Sequence, residues 1–154
     1  MTILVPQPRK WVLAIDPGTS KSAFVCWTGQ KVHGFGVETN EMMESVLHLT
    51  ECDVYCEWVS SYGMRVGAEV FETCYWVGRF AKACVQPFQR VPRMEVKRWH
   101  TGRGSTKDAD VRGALIEKYG PPGLKANPGL TYGLTSHTWQ AFALATYVTE
   151  GGLK

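Results

Sequence analysis

Apolar and polar positions follow a short, strand-like period over the first forty residues and a mostly helical period afterwards. WVLAID (11–16) is an apolar run that ends on a single acid, and it predicts a buried strand. SAFVCWT (22–28) and KVHGFGV (31–37) follow, with Thr28-Gly29-Gln30 as the tight turn between them. Three short strands joined by turns predict an antiparallel meander. EMMESVLHLT (41–50) has helical spacing, with Asn40 as its expected N-cap. DVYCEWV (53–59), rich in β-branched and aromatic residues, predicts a fourth strand. In AEVFETCYWVGRFAKAC (68–84), Val70, Cys74, Val77 and Ala81 form one stripe of a helix. VQPFQRV (85–91) predicts a fifth strand, which Pro87 pushes to an edge or a break.

The rest of the chain is expected to be mainly helical. A helix can start at Pro92 (PRMEVKRWH, 92–100), and KDADVRGALIEKYG (107–120) predicts another, stopped by Gly120-Pro121-Pro122. Residues 121–133 read as a Pro- and Gly-rich loop, and LTSHTWQAFALATYV (134–148) as the last helix, with Ser136 as its N-cap. Residues 1–10, with two prolines, read as a flexible lead-in, leaving 11–150 as a single domain. The fold class expected is α/β: a mixed five-stranded sheet flanked by helices, in the element order of the ribonuclease H-like fold.

Composition narrows the class. The 154 residues are 44% hydrophobic and 20% charged, an ordinary globular balance. No run approaches the roughly 18 apolar residues of a membrane span, and MTILVPQPRKW lacks the regions of a signal peptide. The expectation is a cytoplasmic protein with no membrane partner. Cys26, Cys52, Cys56, Cys74 and Cys84 form no CxxC pair, which favours reduced thiols over disulfides or zinc. Net charge is only +3, yet Glu38 to Glu72 holds eight acids and one base, whereas Arg79 to Lys125 holds eleven bases and four acids. A basic block beside an acidic one suggests a surface that meets a polyanion next to a zone that can hold cations.

Three residues stand out chemically. Asp16 ends the first strand and meets Pro17-Gly18 at once, so it projects at the sheet edge. It is either a turn aspartate or a ligand. Sugar kinases and actin-like ATPases also open with Asp-x-Gly-Thr, but they close two such domains on a nucleotide. One domain of this size lacks the second half, and the Walker pattern is missing. No nucleotide cofactor is therefore expected, and a metal site leads. Glu57 lies in a largely apolar strand, where a glutamate is costly unless it ligates or forms a salt bridge. On the last helix His137, Gln140 and Leu144 share a face, and the alanines at 141, 143 and 145 allow close packing on a sheet. Taken alone, His137 is as compatible with a structural role as with a ligand.

The segments LAIDPGTSKSAF (13–24), VYCEWVSSYGMRVGAEVFETCYWVGRF (54–80), GRGSTKDADVRGALI (102–116) and SHTWQAFALA (136–145) together resemble RuvC-type Holliday-junction resolvases, most of all those of bacteriophages and prophages. The resemblance spans about residues 11–148. It implies a homodimer in which each subunit cuts one strand of a four-way DNA junction using Mg²⁺ or Mn²⁺. The ligands implied are Asp16, Glu57, His137 and Gln140. Asp16 would bridge two ions about 4 Å apart, with Glu57 on one and His137 on the other. Gln140 departs from the family, which usually has an aspartate there; Asp108 or Asp110 is the alternative source of charge. The family's lysine after the GxGS turn (Gly102 to Ser105), implicated in DNA contact or catalysis, aligns with Asp108, and Lys107, one residue earlier, is the candidate for that catalytic role.

DNA contacts are then expected from Arg79, Lys82, Arg90, Arg93, Lys97, Arg98, Arg103 and Lys107. Tyr62, Met64 and Phe88 are candidates either to stack on unpaired bases or to pack within the protein. Phe71, Tyr75, Trp76 and Phe80 are expected to serve the core and a dimer contact. A nuclease for other branched DNA and a catalytically dead junction-binding module remain the alternatives.

Overall fold

The structure is a computed structural model that describes residues 11–61 and 63–153. The expected lead-in (1–10) and Tyr62 lie outside the described residues. Strands β1 (Val12–Asp16), β2 (Lys21–Trp27), β3 (Val32–Thr39), β4 (Asp53–Trp58) and β5 (Phe88–Pro92) form one sheet in the order β3-β2-β1-β4-β5. β1, β2 and β3 make the antiparallel meander, and β1-β4 and β4-β5 pair in parallel. Helix α1 (Asn40–Leu47) follows the meander, and α2 (Ala68–Ala83) is the crossover between the parallel strands β4 and β5. The expected strand at 85–91 begins only at Phe88, after Pro87, and lies at the sheet edge. Helices α3 (Arg93–Thr101), α4 (Asp108–Tyr119) and α5 (Ser136–Thr149) complete the domain. Within the expected loop, Gly123–Leu124 and Asn127–Pro128 form a minimal hairpin, β6-β7.

The sheet separates two cores. Leu13, Ile15, Val54 and Cys56 point to the face covered by α1 and α2, where Met43, Leu47, Trp76, Val77 and Phe80 pack. Ala14, Val25, Trp27 and Val91 point to the other face, covered by α3, α4 and α5. Strand residues of the same parity share a face. Asp16 therefore follows Ala14, and Glu57 follows the half-buried Tyr55, toward the side of α5. That helix buries ten residues, from Thr138 to Tyr147, because Ala141, Ala143 and Ala145 let its backbone approach β1 and β2.

Both expected N-caps shift by one residue. Thr39, not Asn40, caps α1 by accepting the Met42 N–H. Thr135, not Ser136, precedes α5, and its N–H donates to Thr138 Oγ1. In each case the alternative threonine lies one residue upstream in extended backbone, the conformation a cap requires. The five cysteines are free. At the far end of α5, Trp27 Nε1 donates to Thr149 Oγ1 at 3.1 Å, although the indole is buried. Thr149→Val keeps the volume and strands that donor, so it is expected to cost about 1–2 kcal/mol, read as a lower urea midpoint.

Candidate metal centre

Asp16 and Glu57 lie side by side at the carboxyl ends of β1 and β4, the two central parallel strands. Parallel pairing places Ile15 beside Cys56, so the next residues in each strand are neighbours at the sheet edge. Both carboxyls are buried, with Asp16 8% and Glu57 4% exposed, and each shifts the titration of the other. Burial raises Glu57 to about 8, and the adjacent Asp16 charge adds to it. Burial raises Asp16 to about 6, opposed chiefly by the charge of Arg93. Glu57 is therefore the harder of the two acids to ionise and Asp16 the easier. Two acids placed this closely cannot both ionise without a cation.

The turn after Asp16 is tied down by side chains. Gly18 N–H donates to Ser22 Oγ at 3.3 Å, Ser22 donates to Asn40 Oδ1 at 2.6 Å, and Asn40 Nδ2 donates to the Gly18 carbonyl at 2.9 Å. The ring closes on Gly18. A Cβ there would lie 2.3 Å from the Lys21 carbonyl oxygen, so the tight path of this turn requires glycine. The result is an open cleft of about 400 Å³ whose walls include Asp16, Thr19, Ser20, Lys21, Arg93 and His137.

The N-terminus of α5 brings His137 to the same edge. Its Nδ1 lies 3.1 Å from Asp16 Oδ2, while three quarters of the side chain stays open to the cleft. Gln140, one turn further, is buried beside His137 and borders a small recess shared with Asp108 and Arg112. Glu57 Oε1 is buried and receives no hydrogen bond. Arg93 Nε is 3.2 Å away, close enough for charge attraction but not aligned to donate. A buried carboxylate oxygen without a donor, beside a second carboxylate and an imidazole, fits a hard or borderline divalent cation. Among the described residues, no three or more His, Cys, Asp or Glu side chains are gathered tightly enough to hold a metal ion.

The other expected residues fall into three groups. Arg93, Lys97 and Asp108 belong to the rim: Arg93 bonds both Asp108 oxygens at 2.9 Å, and Lys97 Nζ lies 3.2 Å from Asp108 and 2.8 Å from the Thr106 carbonyl. These contacts hold Asp108 below the usual carboxylate range despite the opposing effect of partial burial. The position where the resemblance expects a lysine thus carries an acid that two cations from α3 approach. Lys107 is exposed at the start of α4, and Asp110 is spent on capping that helix, accepting the Lys107 N–H at 3.0 Å. Arg98 and Arg103 are exposed on and after α3.

Arg79, Lys82 and Arg90 lie away from this edge. Arg79 forms a bidentate pair with Glu44 of α1 and stacks on Trp76, and Arg90 stacks on Trp58. Lys82 is exposed in the last turn of α2. Arg79 and Lys82 belong to α2, which covers the sheet face opposite α5. Met64 is exposed, and Phe88 packs under α2. Of the aromatic helix residues, Trp76 and Phe80 are buried whereas Phe71 and Tyr75 are exposed. The sequence reading missed Lys21, Ser22 and the supporting role of Asn40. The stretch from Pro17 to Ser22 marks a turn, but only the fold shows that Asn40 closes it.

No family model matches the chain, and no curated protein matches it in sequence. Solved structures do match. T. thermophilus RuvC in complex with Holliday junction substrate has a TM-score of 0.67 and 19% identity, over 94% of this chain and 98% of that one. A second Thermus thermophilus RuvC structure gives a TM-score of 0.65 and 20% identity, over the same shares. The chain therefore has the fold of these RuvC structures, a ribonuclease H-like fold.

Proposed function

We propose that the chain is a metal-dependent, structure-selective DNA endonuclease that resolves four-way junctions by paired phosphodiester hydrolysis as a homodimer. The observation that carries this reading is the buried Asp16–Glu57 pair, with one Glu57 oxygen lacking a donor, at the open end of two parallel strands. The likeness to a RuvC structure solved with junction DNA supports the substrate class. Asp16, Glu57 and His137 are the residues that would hold the ion, and Gln140, one turn after His137 on α5, is the neutral supplement. Bound there, Mg²⁺ or Mn²⁺ supplies the Lewis acidity that offsets charge on a phosphate and activates water.

The chain's own groups do the rest. Buried between two covered faces, Asp16 and Glu57 stay fixed while DNA arrives, so no reorganisation is needed there. His137 holds Asp16 in one rotamer through Nδ1 and leaves its outer ring edge facing the cleft. Lys21 and Arg93 line that cleft as positive groups for the phosphate, and Lys97, Arg98, Arg103 and Lys107 extend the basic rim along α3 and the start of α4. Phe71 and Tyr75, exposed on α2, are the aromatic surface for the second subunit.

The test is incubation with a labelled four-way junction, a fork and a linear duplex, in Mn²⁺ and in EDTA. Paired nicks at the crossover that vanish in EDTA are expected. Cutting confined to the fork would shift the reading to another branched-DNA nuclease. Junction binding without cutting in any divalent metal would make the chain a binding module, the reading that a neutral Gln140 favours.

A further inference from the structure

Arg93 is placed unlike a surface cation. It is the first residue of α3, and its guanidinium is gripped from two sides, by Glu57 at 3.2 Å and by both oxygens of Asp108 at 2.9 Å. Lys97, one helical turn later, also reaches Asp108 Oδ1, at 3.2 Å. Arg93 thus lies against the one buried Glu57 oxygen that has no hydrogen-bond donor, on the wall of the cleft that Asp16 and His137 also line.

Charge points the same way. Asp16, Glu57 and Asp108 are the carboxylates of this edge, and Arg93 and Lys97 are already paired among them. Gln140, buried at the α5 position beside His137, brings no charge. With the three carboxylates ionised and Lys21 also on the cleft wall, the edge is close to balanced, and a single divalent ion already makes it positive. A second would add two more positive charges next to a guanidinium that cannot be deprotonated.

We infer that Arg93 is a resident cation that takes the place of a second metal ion, so that each chain binds one divalent ion rather than two. The inference rests on the reading of Asp16 and Glu57 as metal ligands. Arg93 is a positioning residue here: it fixes Glu57 and Asp108 and sets how many ions the cleft accepts.

Counting bound ions tests this without recourse to activity. Mn²⁺ is titrated into the purified full chain, and free Mn²⁺ is followed by its electron paramagnetic resonance signal. Wild type is expected to bind one Mn²⁺ per chain, Arg93→Gln two, and Arg93→Lys, which keeps the charge, one. Far-ultraviolet circular dichroism and a melting curve confirm that each variant is folded. Two ions in wild type, or a count of one in folded Arg93→Gln, would overturn the inference. Asp16→Asn separates the two levels of the argument: if it binds Mn²⁺ as wild type does, the metal-ligand reading fails whatever Arg93 does.

Discussion

Asp16→Asn is expected to abolish metal-dependent cleavage and, in metal-free buffer at pH 8, to raise the melting temperature of the protein. Loss of a central ligand removes several kcal/mol of charge stabilisation, a fall in rate on the order of 10³-fold or more. The gain in stability follows from the pKa values. Asp16 is raised from 3.8 to about 6 and Glu57 from 4.5 to about 8, in both cases chiefly by burial. The folded chain therefore holds protons that the unfolded chain has released, and its stability falls as pH rises from about 4 to about 8. Below that window both states are protonated and the penalty is absent.

An amide at position 16 removes one of the two charges and relieves the other. The expected gain is roughly 2 kcal/mol at pH 8, or about 4–8 °C in melting temperature, shrinking to nothing near pH 4. Mn²⁺ should raise the melting temperature of wild type and leave the variant unmoved. Differential scanning fluorimetry across pH, with and without Mn²⁺, reads all of this. A variant that melts below wild type at pH 8, or that still cuts junctions at the wild-type rate, would show that Asp16 serves structure rather than metal.

That site was partly legible in the sequence because strand periodicity is strict. An acid closing WVLAID must emerge where β1 ends, and an acid late in DVYCEWV must emerge beside it if the strands are parallel neighbours. The five strands and the flanking helices were legible for the same reason, since their apolar stripes are long and regular. What periodicity does not encode is which polar group meets which. Arg93 and Asp108 are fifteen positions apart and were assigned to DNA contact and to a supplementary ligand, yet they bind each other. Arg79 belongs to the basic block by composition, but the fold sets it on Glu44 and Trp76, behind the sheet. Caps were misplaced by one residue because Thr39-Asn40 and Thr135-Ser136 each offer two competent side chains, and only backbone conformation chooses between them.

Asn40 shows what such a misplacement can conceal. As a helix cap its loss would be a local matter. As built, its side chain is fully buried and is the far anchor of the turn that carries Asp16. Asn40→Ala deletes both hydrogen bonds and leaves the buried Ser22 hydroxyl without its acceptor and the half-buried Gly18 carbonyl without its donor. The expected cost is about 2–4 kcal/mol, since each abandoned buried group costs about 1–3 kcal/mol. The chemical effect should exceed what instability alone explains. The ring through Ser22 and Asn40 fixes Gly18, two residues from Asp16, and supporting contacts of that kind are typically worth about 10–100-fold in metal affinity or activity. Cleavage and Mn²⁺ binding are therefore expected to fall together by about that factor at a temperature where the variant is still folded. Asn40→Asp is the sharper control. It keeps the acceptor for Ser22 but turns a buried donor into a charge facing the Gly18 carbonyl, so it should be less stable at pH 8 than Asn40→Ala. If Asn40→Ala melts lower yet binds Mn²⁺ with wild-type affinity, the turn holds its shape without the ring, and Gly18 alone directs Asp16 into the cleft.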